Sequence, residues 1–148
     1  MTTLATKVVF DTNILVSGHF WKGPPHRCLL AVEAGLVSLV LTEPIVAEFR
    51  QTLGEKFRVP VDEVDAIVGR LDTRAAHVVA PGRSGWVTQD PDDDKFIDAA
   101  LASGATIIVS GDRHLLALGS VEGIDILTAR SFLDRLPALS EGPDRPTD

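Results

Sequence analysis

The fold reading turns on Lys7-Val8-Val9-Phe10-Asp11-Thr12-Asn13-Ile14. Residues 7–10 are a short β-branched and aromatic run, and three polar side chains stop it at once, which reads as a buried strand closed by polar residues. A short helix is expected at residues 14–17, then a loop holding Gly18, Gly23, Pro24 and Pro25. Further along, residues 26–34 form a helix with Cys28, Leu29 and Val32 inward and Gly35 as its stop, and residues 37–41 a second buried strand. Thr42 caps a helix that opens with Glu43-Pro44, proline being tolerated in the first turn.

The same alternation runs on. Val61, Val64, Ile67, Val68 and Leu71 sit at helical spacing within residues 61–74. A weaker strand at 77–80 precedes a loop at 81–90 with Gly82, Ser84 and Gly85. A helix at 93–103, ended by Gly104, leads to a fourth strand at 106–110 and a helical turn at 114–118. A fifth strand at 124–127 and a helix at 129–136 capped by Thr128 follow. Strands alternating with helices predict an α/β fold, one domain over residues 1–136, with a mostly parallel central sheet of about five strands flanked by helices. Residues 137–148, rich in proline and acid, are expected to be a disordered tail. No internal repeat or inter-domain linker is evident.

Composition narrows the function classes. The 148 residues carry a formal charge of −7, with 45% hydrophobic and 24% charged residues, an ordinary globular balance. The longest apolar stretches, 36–41 and 106–109, fall far short of the ~20 residues of a membrane helix. No basic segment followed by an apolar one opens the chain, so secretion is not expected, and the lone Cys28 fits a reducing cytosol; a cytoplasmic protein without membrane contact is the expectation. Net acidity excludes a broad basic surface that grips nucleic acid, but not a site that reaches phosphates through metal. Residues 90–98 hold five aspartates against one lysine, so −4 of the charge lies there and only −3 in the remainder.

In such sheets ligands bind off the carboxyl ends of the strands. Asp11 and Asp112 each follow a strand directly and belong on that edge; an N-cap is the plain alternative for Asp11. Ile45, Glu48, Phe49 and Thr52 share one helical face, so Glu48 borders an apolar stripe and needs a positive partner, either a metal or an arginine such as Arg50 or Arg58. On the helix at 93–103 the inward face is set by Phe96, Ile97, Ala100 and Leu101. Taking Ile97 as 0°, Asp93 lies at about 320°, inside that face, with Asp94 at its edge and Asp92 pointing away. One aspartate suffices to cap a helix; three adjacent ones repel each other unless a divalent cation neutralises them. Oxygen ligands without Cys or His suit Mg²⁺ or Mn²⁺ rather than zinc. His19, His26, His77 and His114 lack metal-ligand spacing. His114 lies within reach of a substrate near Asp112, although an imidazole that simply faces water or caps the helical turn is the more economical reading. No phosphate-binding Gly-rich loop or nucleophile elbow occurs, and Cys28 on an apolar helical face reads as packing.

Together, Val8-Val9-Phe10-Asp11-Thr12-Asn13-Ile14-Leu15, the helical Glu48, Asp90-Pro91-Asp92-Asp93-Asp94-Lys95-Phe96 and Val109-Ser110-Gly111-Asp112 resemble the PIN-domain ribonucleases. The likeness is greatest to their bacterial branch of toxins from toxin–antitoxin pairs, relatives of VapC-type toxins, and spans residues 7–136. The resemblance implies a metal-binding catalytic quartet of Asp11, Glu48, Asp93 and Asp112. Asp90 and Asp94 become outer ligands, and Thr12, Asn13 and Ser110 supporting groups. It also implies Mg²⁺- or Mn²⁺-dependent RNA cleavage leaving a 5′-phosphate, a cognate antitoxin partner and a homodimer. A metal-dependent DNA nuclease and a non-catalytic module binding RNA or antitoxin are the alternatives. Lys22, Arg27, Arg50, Lys56, Arg58 and Arg113 are the cations available to RNA. Phe20 and Trp21 offer either a stacking surface or core packing.

Overall fold

A computed structural model describes residues 5–82, 85–88 and 90–141. The first half runs β1 (Thr6–Phe10), α1 (Thr12–Phe20), α2 (Pro24–Glu33), β2 (Val37–Leu41), α3 (Glu43–Gln51) with a π-helical turn (Thr52–Lys56), α4 (Val61–Asp72) and β3 (Ala75–His77). After a loop come a 3₁₀ turn (Pro91–Asp93), α5 (Asp94–Ser103), β4 (Ile107–Val109), α6 (Arg113–Leu118), β5 (Ser120–Val121), β6 (Ile124–Leu127) and α7 (Ala129–Glu141). The strands form one sheet of order β3-β2-β1-β4-β6-β5, parallel throughout except for the β5–β6 pair.

β1 lies inside this sheet, which explains its unbroken apolar run: Val8, Val9 and Phe10 are all fully buried. α5 packs on β1, β2 and β4, while Phe132 of α7 meets Phe10 edge-on at 5.8 Å. Phe10 pairs with Val109, so β1 and β4 end level with one another. Cys28 is buried in the same core, and burial pushes its thiol up to about 12, which leaves it an inert packing group.

Several boundaries differ from the sequence reading. α1 runs to Phe20, so Gly18 is helical rather than in a loop. A Cβ there would stand 2.7 Å from Leu29 Cδ1 and 2.8 Å from the Pro25 carbonyl oxygen, so glycine lets α2 close on α1. Val61 opens α4 and is 74% exposed, because the first turn lies beyond the core. On α5 the small Ala99 is buried and Leu101 is exposed; the inward face is centred between Phe96 and Ala100 rather than on Ile97. β3 begins at Ala75, where parallel pairing with β2 is available, and the two-residue β5 is too short to carry a period. α7 passes through Pro137 to Glu141, since Leu136 and Leu139 continue the packed stripe of Phe132 and Leu133. Ser84 and residues 142–148 lie outside the described residues. Phe20 stacks on Phe57 at 5.0 Å with Trp21 against both, so these aromatics pack on one another. No described helix is long and apolar enough to cross a membrane.

Candidate metal centre

The chain leaves β1 toward β2 on one side, while β4 lies on the other, so the strand order reverses between β1 and β4. A crevice opens at such a point beyond the carboxyl ends of the strands. Asp11 fills the base of that crevice, 3% exposed. Its Oδ1 accepts from the Ile14 amide at 2.9 Å and so caps α1. Its Oδ2 accepts from the Ser110 hydroxyl and from the Gly111 amide at 3.3 Å. The N-cap and the site position are therefore one arrangement, in which Asp11 ties the end of β1 to the end of β4. Burial raises its pKa, these hydrogen bonds oppose the rise, and the nearby charge of Asp112 adds to it.

Ser110, fully buried, also accepts from the Asp112 amide at 2.9 Å. The Asp112 Oδ1 caps α6 through the amides of His114 at 2.7 Å and Leu115 at 3.2 Å. Across the crevice, the Asp90 amide donates to the Val87 carbonyl at 3.2 Å and the Asp93 amide to the Asp90 carbonyl at 2.9 Å, closing the 3₁₀ turn that aims both carboxylates at Asp112. One oxygen from each of Asp90, Asp93 and Asp112 lies within 4.8 Å of the other two. Asp93 is pushed up to about 7, first by burial and then by the charges of Asp90, Asp112 and Glu48, with Lys95 opposing. Three converging hard oxygens, without Cys or His among them, are a donor set that fits Mg²⁺ or Mn²⁺.

Of the expected quartet, Asp93 and Asp112 belong to this triad, and Asp11 and Glu48 flank it. Asp90, expected as an outer ligand, stands within it. Asp94 does not: it is 2% exposed, and its oxygens accept from the amides of Gly85 at 3.0 Å and Val87 at 2.8 Å, pinning the loop before the 3₁₀ turn. Thr12 donates its hydroxyl to Glu48, while Asn13 is exposed and its side chain makes no hydrogen bond among the described residues.

The cation beside Glu48 is Lys95, which sequence reasoning missed. Its Nζ lies 2.9 Å from Glu48 and 3.1 Å from Asp92 with only 12% of the side chain exposed. Burial alone would lower its pKa, but the hydrogen bonds to these two carboxylates more than offset this and raise it. Arg50 instead pairs with Asp65 at 2.7 Å on an exposed face. The available signal was the i,i+3 spacing of Asp92 and Lys95.

Several solved structures are similar to this chain, and two of them illustrate the likeness. One is PAE2754 from Pyrobaculum aerophilum, 17% identical over 90% of this chain and 90% of that one, with a TM-score of 0.62. The other is VapBC2 from Rickettsia felis bound to a DNA fragment from their promoter, 11% identical over 82% of this chain and 97% of that one, with a TM-score of 0.57. At these identities the likeness is one of fold. No curated protein matches the chain in sequence. A family profile described as a PIN domain matches residues 7–114, well over half of the length, and on that match the chain belongs to the PIN-domain family.

Proposed function

We propose that this chain is a divalent-metal-dependent endoribonuclease and the toxin of a toxin–antitoxin pair. The observation that carries the reading is the convergence of Asp90, Asp93 and Asp112 at the strand-order reversal of a PIN fold. These three carboxylates would hold Mg²⁺ or Mn²⁺. Bound there, the ion supplies Lewis acidity that activates water for in-line attack on a phosphodiester and stabilises the leaving oxygen.

The remaining residues hold this constellation in place. Asp11 and Ser110 lock the ends of β1 and β4 together and fix the backbone of Asp112. Asp93 holds a proton near neutrality in the free protein and surrenders it when a cation is taken up. Lys95 bridges Glu48 and Asp92 and offsets one of their two negative charges, which lessens repulsion of a phosphate backbone. Arg113, exposed next to Asp112, is the cation best placed to meet a phosphate.

The toxin role rests on the VapBC likeness and on a groove of about 270 Å³, whose walls include Leu15, Leu29, Ile67 and Leu71 and whose charged residues are Arg70, Arg74 and Glu33, a net positive lining. An antitoxin segment with an apolar face and acidic flanks fits that lining. The product of a small gene immediately upstream, co-expressed with this chain, would form a complex that Arg70→Glu with Arg74→Glu breaks. Incubating the purified protein with single-stranded RNA and DNA, with Mn²⁺ or chelator, tests the activity. RNA cleavage with Mn²⁺ alone supports the proposal, cleavage of DNA only makes it a DNA nuclease, and cleavage of neither favours a binding module.

A further inference from the structure

Beside the acidic triad lies a second pocket of about 130 Å³, lined by Trp86, Val87, Thr88, His114, Ala117 and Leu118 and without any carboxylate, lysine or arginine. Its walls are hydrogen-bonded to the triad itself. The Val87 carbonyl accepts from the Asp90 amide at 3.2 Å, and the His114 amide donates to Asp112 Oδ1 at 2.7 Å. Two residues of chain span at most about 7 Å, so His114 stands next to Asp112.

Trp86 is held in this position by the fold. The buried Asp94 carboxylate binds the amides on either side of it, Gly85 and Val87, so Val87 turns into the core at 2% exposure while Trp86 is left 41% exposed. Two hydrogen bonds to a buried side chain thus fix a loop that presents a large aromatic face to solvent, where burial would otherwise be favoured. The His114 ring makes no hydrogen bond among the described residues, and Thr88 is exposed, so both are available to a ligand's polar edge. A cavity of about 150 Å³ admits a benzene ring, so this open pocket is the size of one planar ring. The other exposed aromatics, Phe20 and Trp21, end α1 while Asp11 begins it, about 14 Å away by helix rise, and they stack on Phe57.

We propose that Trp86, with His114 and Thr88, forms a stacking subsite that takes one unpaired base of single-stranded RNA beside the acidic triad. The identity of the ligand rests on the ribonuclease reading above. The aromatic and apolar subsite takes the base, while the backbone phosphate would meet the cation held by the carboxylates, so each part of a nucleotide meets matching chemistry. Stacking on an aromatic face tolerates any base, so the subsite positions the strand without selecting sequence.

Trp21 and Trp86 are the two tryptophans of the chain, so Trp21→Phe isolates the emission of Trp86. That protein is titrated with dodecauridylate in Ca²⁺, which neutralises the carboxylates, and the oligonucleotide is checked for integrity afterwards. Saturable quenching of Trp86 is expected. Trp86→Ala should weaken binding, read by anisotropy of the labelled oligonucleotide, roughly 5- to 100-fold. Trp86→Phe should stay within about threefold, since it keeps an aromatic face, and both variants should retain the wild-type circular dichroism spectrum. With Mn²⁺, Trp86→Ala should raise KM while kcat is held. No binding, binding without quenching, or wild-type affinity in Trp86→Ala overturns the subsite. If RNA is cut but Trp86→Ala keeps the wild-type KM, the subsite fails and the ribonuclease stands. If Trp86 is quenched but wild type cuts nothing in Mn²⁺, the subsite stands and the ribonuclease fails.

Discussion

Replacing Asp93 with asparagine should stabilise the metal-free protein, by a margin that grows as pH rises from about 4 to 7. In the folded chain the Asp93 carboxyl is pushed from 3.8 to about 7, so between these values the folded form holds a proton that the unfolded chain has released. Stability from this group is therefore fully present below about pH 4 and falls as pH rises toward 7. Converted directly at about 1.36 kcal/mol per unit, the shift is worth about 4 kcal/mol. Asp93 is only part-buried, and solvent screening reduces this to about 1–2 kcal/mol. For a domain of this size that corresponds to about 3–6 °C in Tm. Thermal unfolding followed by circular dichroism in EDTA should show Asp93→Asn and wild type close together at about pH 4, and the variant higher by that margin at about pH 8. Mn²⁺ at about 100 times its Kd should then raise the wild type by about 2.7 kcal/mol and leave the variant unmoved. A wild-type Tm in EDTA that does not fall relative to Asp93→Asn between about pH 4 and pH 8 would refute the claim that burial and the neighbouring carboxylates raise the pKa of Asp93.

Other consequences follow from the same contacts. Lys95→Gln leaves Glu48 and Asp92 without their cation and should cost about 1–2 kcal/mol, read as a lower midpoint in urea. It should also tighten Mn²⁺ binding in calorimetry, because a competing positive charge is removed; weaker Mn²⁺ binding would contradict the role given to Lys95. Asp94→Asn places one amide oxygen where a carboxylate accepts two bonds, so the Gly85 and Val87 amides should exchange hydrogen faster and stability fall by about 1.5–3 kcal/mol. Unchanged exchange at both amides would show that the clamp does not hold the loop. Gly18→Ala drives a methyl into Leu29 and the Pro25 carbonyl oxygen and should cost about 1–3 kcal/mol in thermal unfolding.

Much of this was legible in the residues because the elements that build the crevice are short and unambiguous. Val8-Val9-Phe10 and Ile107-Ile108-Val109 read as buried strands, and each is followed at once by polar groups that end the apolar run. Asp11 and Asp112 were therefore placed by the strands alone. The register of Asp90–Asp94 was harder, since a helical wheel begins only where the helix does. The 3₁₀ turn at Pro91–Asp93 rotates Asp90 and Asp93 toward Asp112, while Asp94, the first residue of α5, turns to the preceding loop. A wheel also carries no information about partners distant in sequence. Lys95 finds Glu48 across 47 positions, and Asp94 finds two amides in a loop without periodicity. Trp86 was passed over for that reason: its position depends on a clamp residing in another element.

The most direct test of the central claim is the initial rate at which wild type and Asp112→Asn cut a 5′-labelled single-stranded RNA in Mn²⁺, with EDTA as control and the product ends identified. The account predicts cleavage by wild type that stops in EDTA, products bearing a 5′-phosphate, and a rate for a folded Asp112→Asn reduced by at least about 100-fold, the scale on which losing a group that acts on developing charge is felt. Cleavage that persists in EDTA, or a folded Asp112→Asn as fast as wild type, would contradict it.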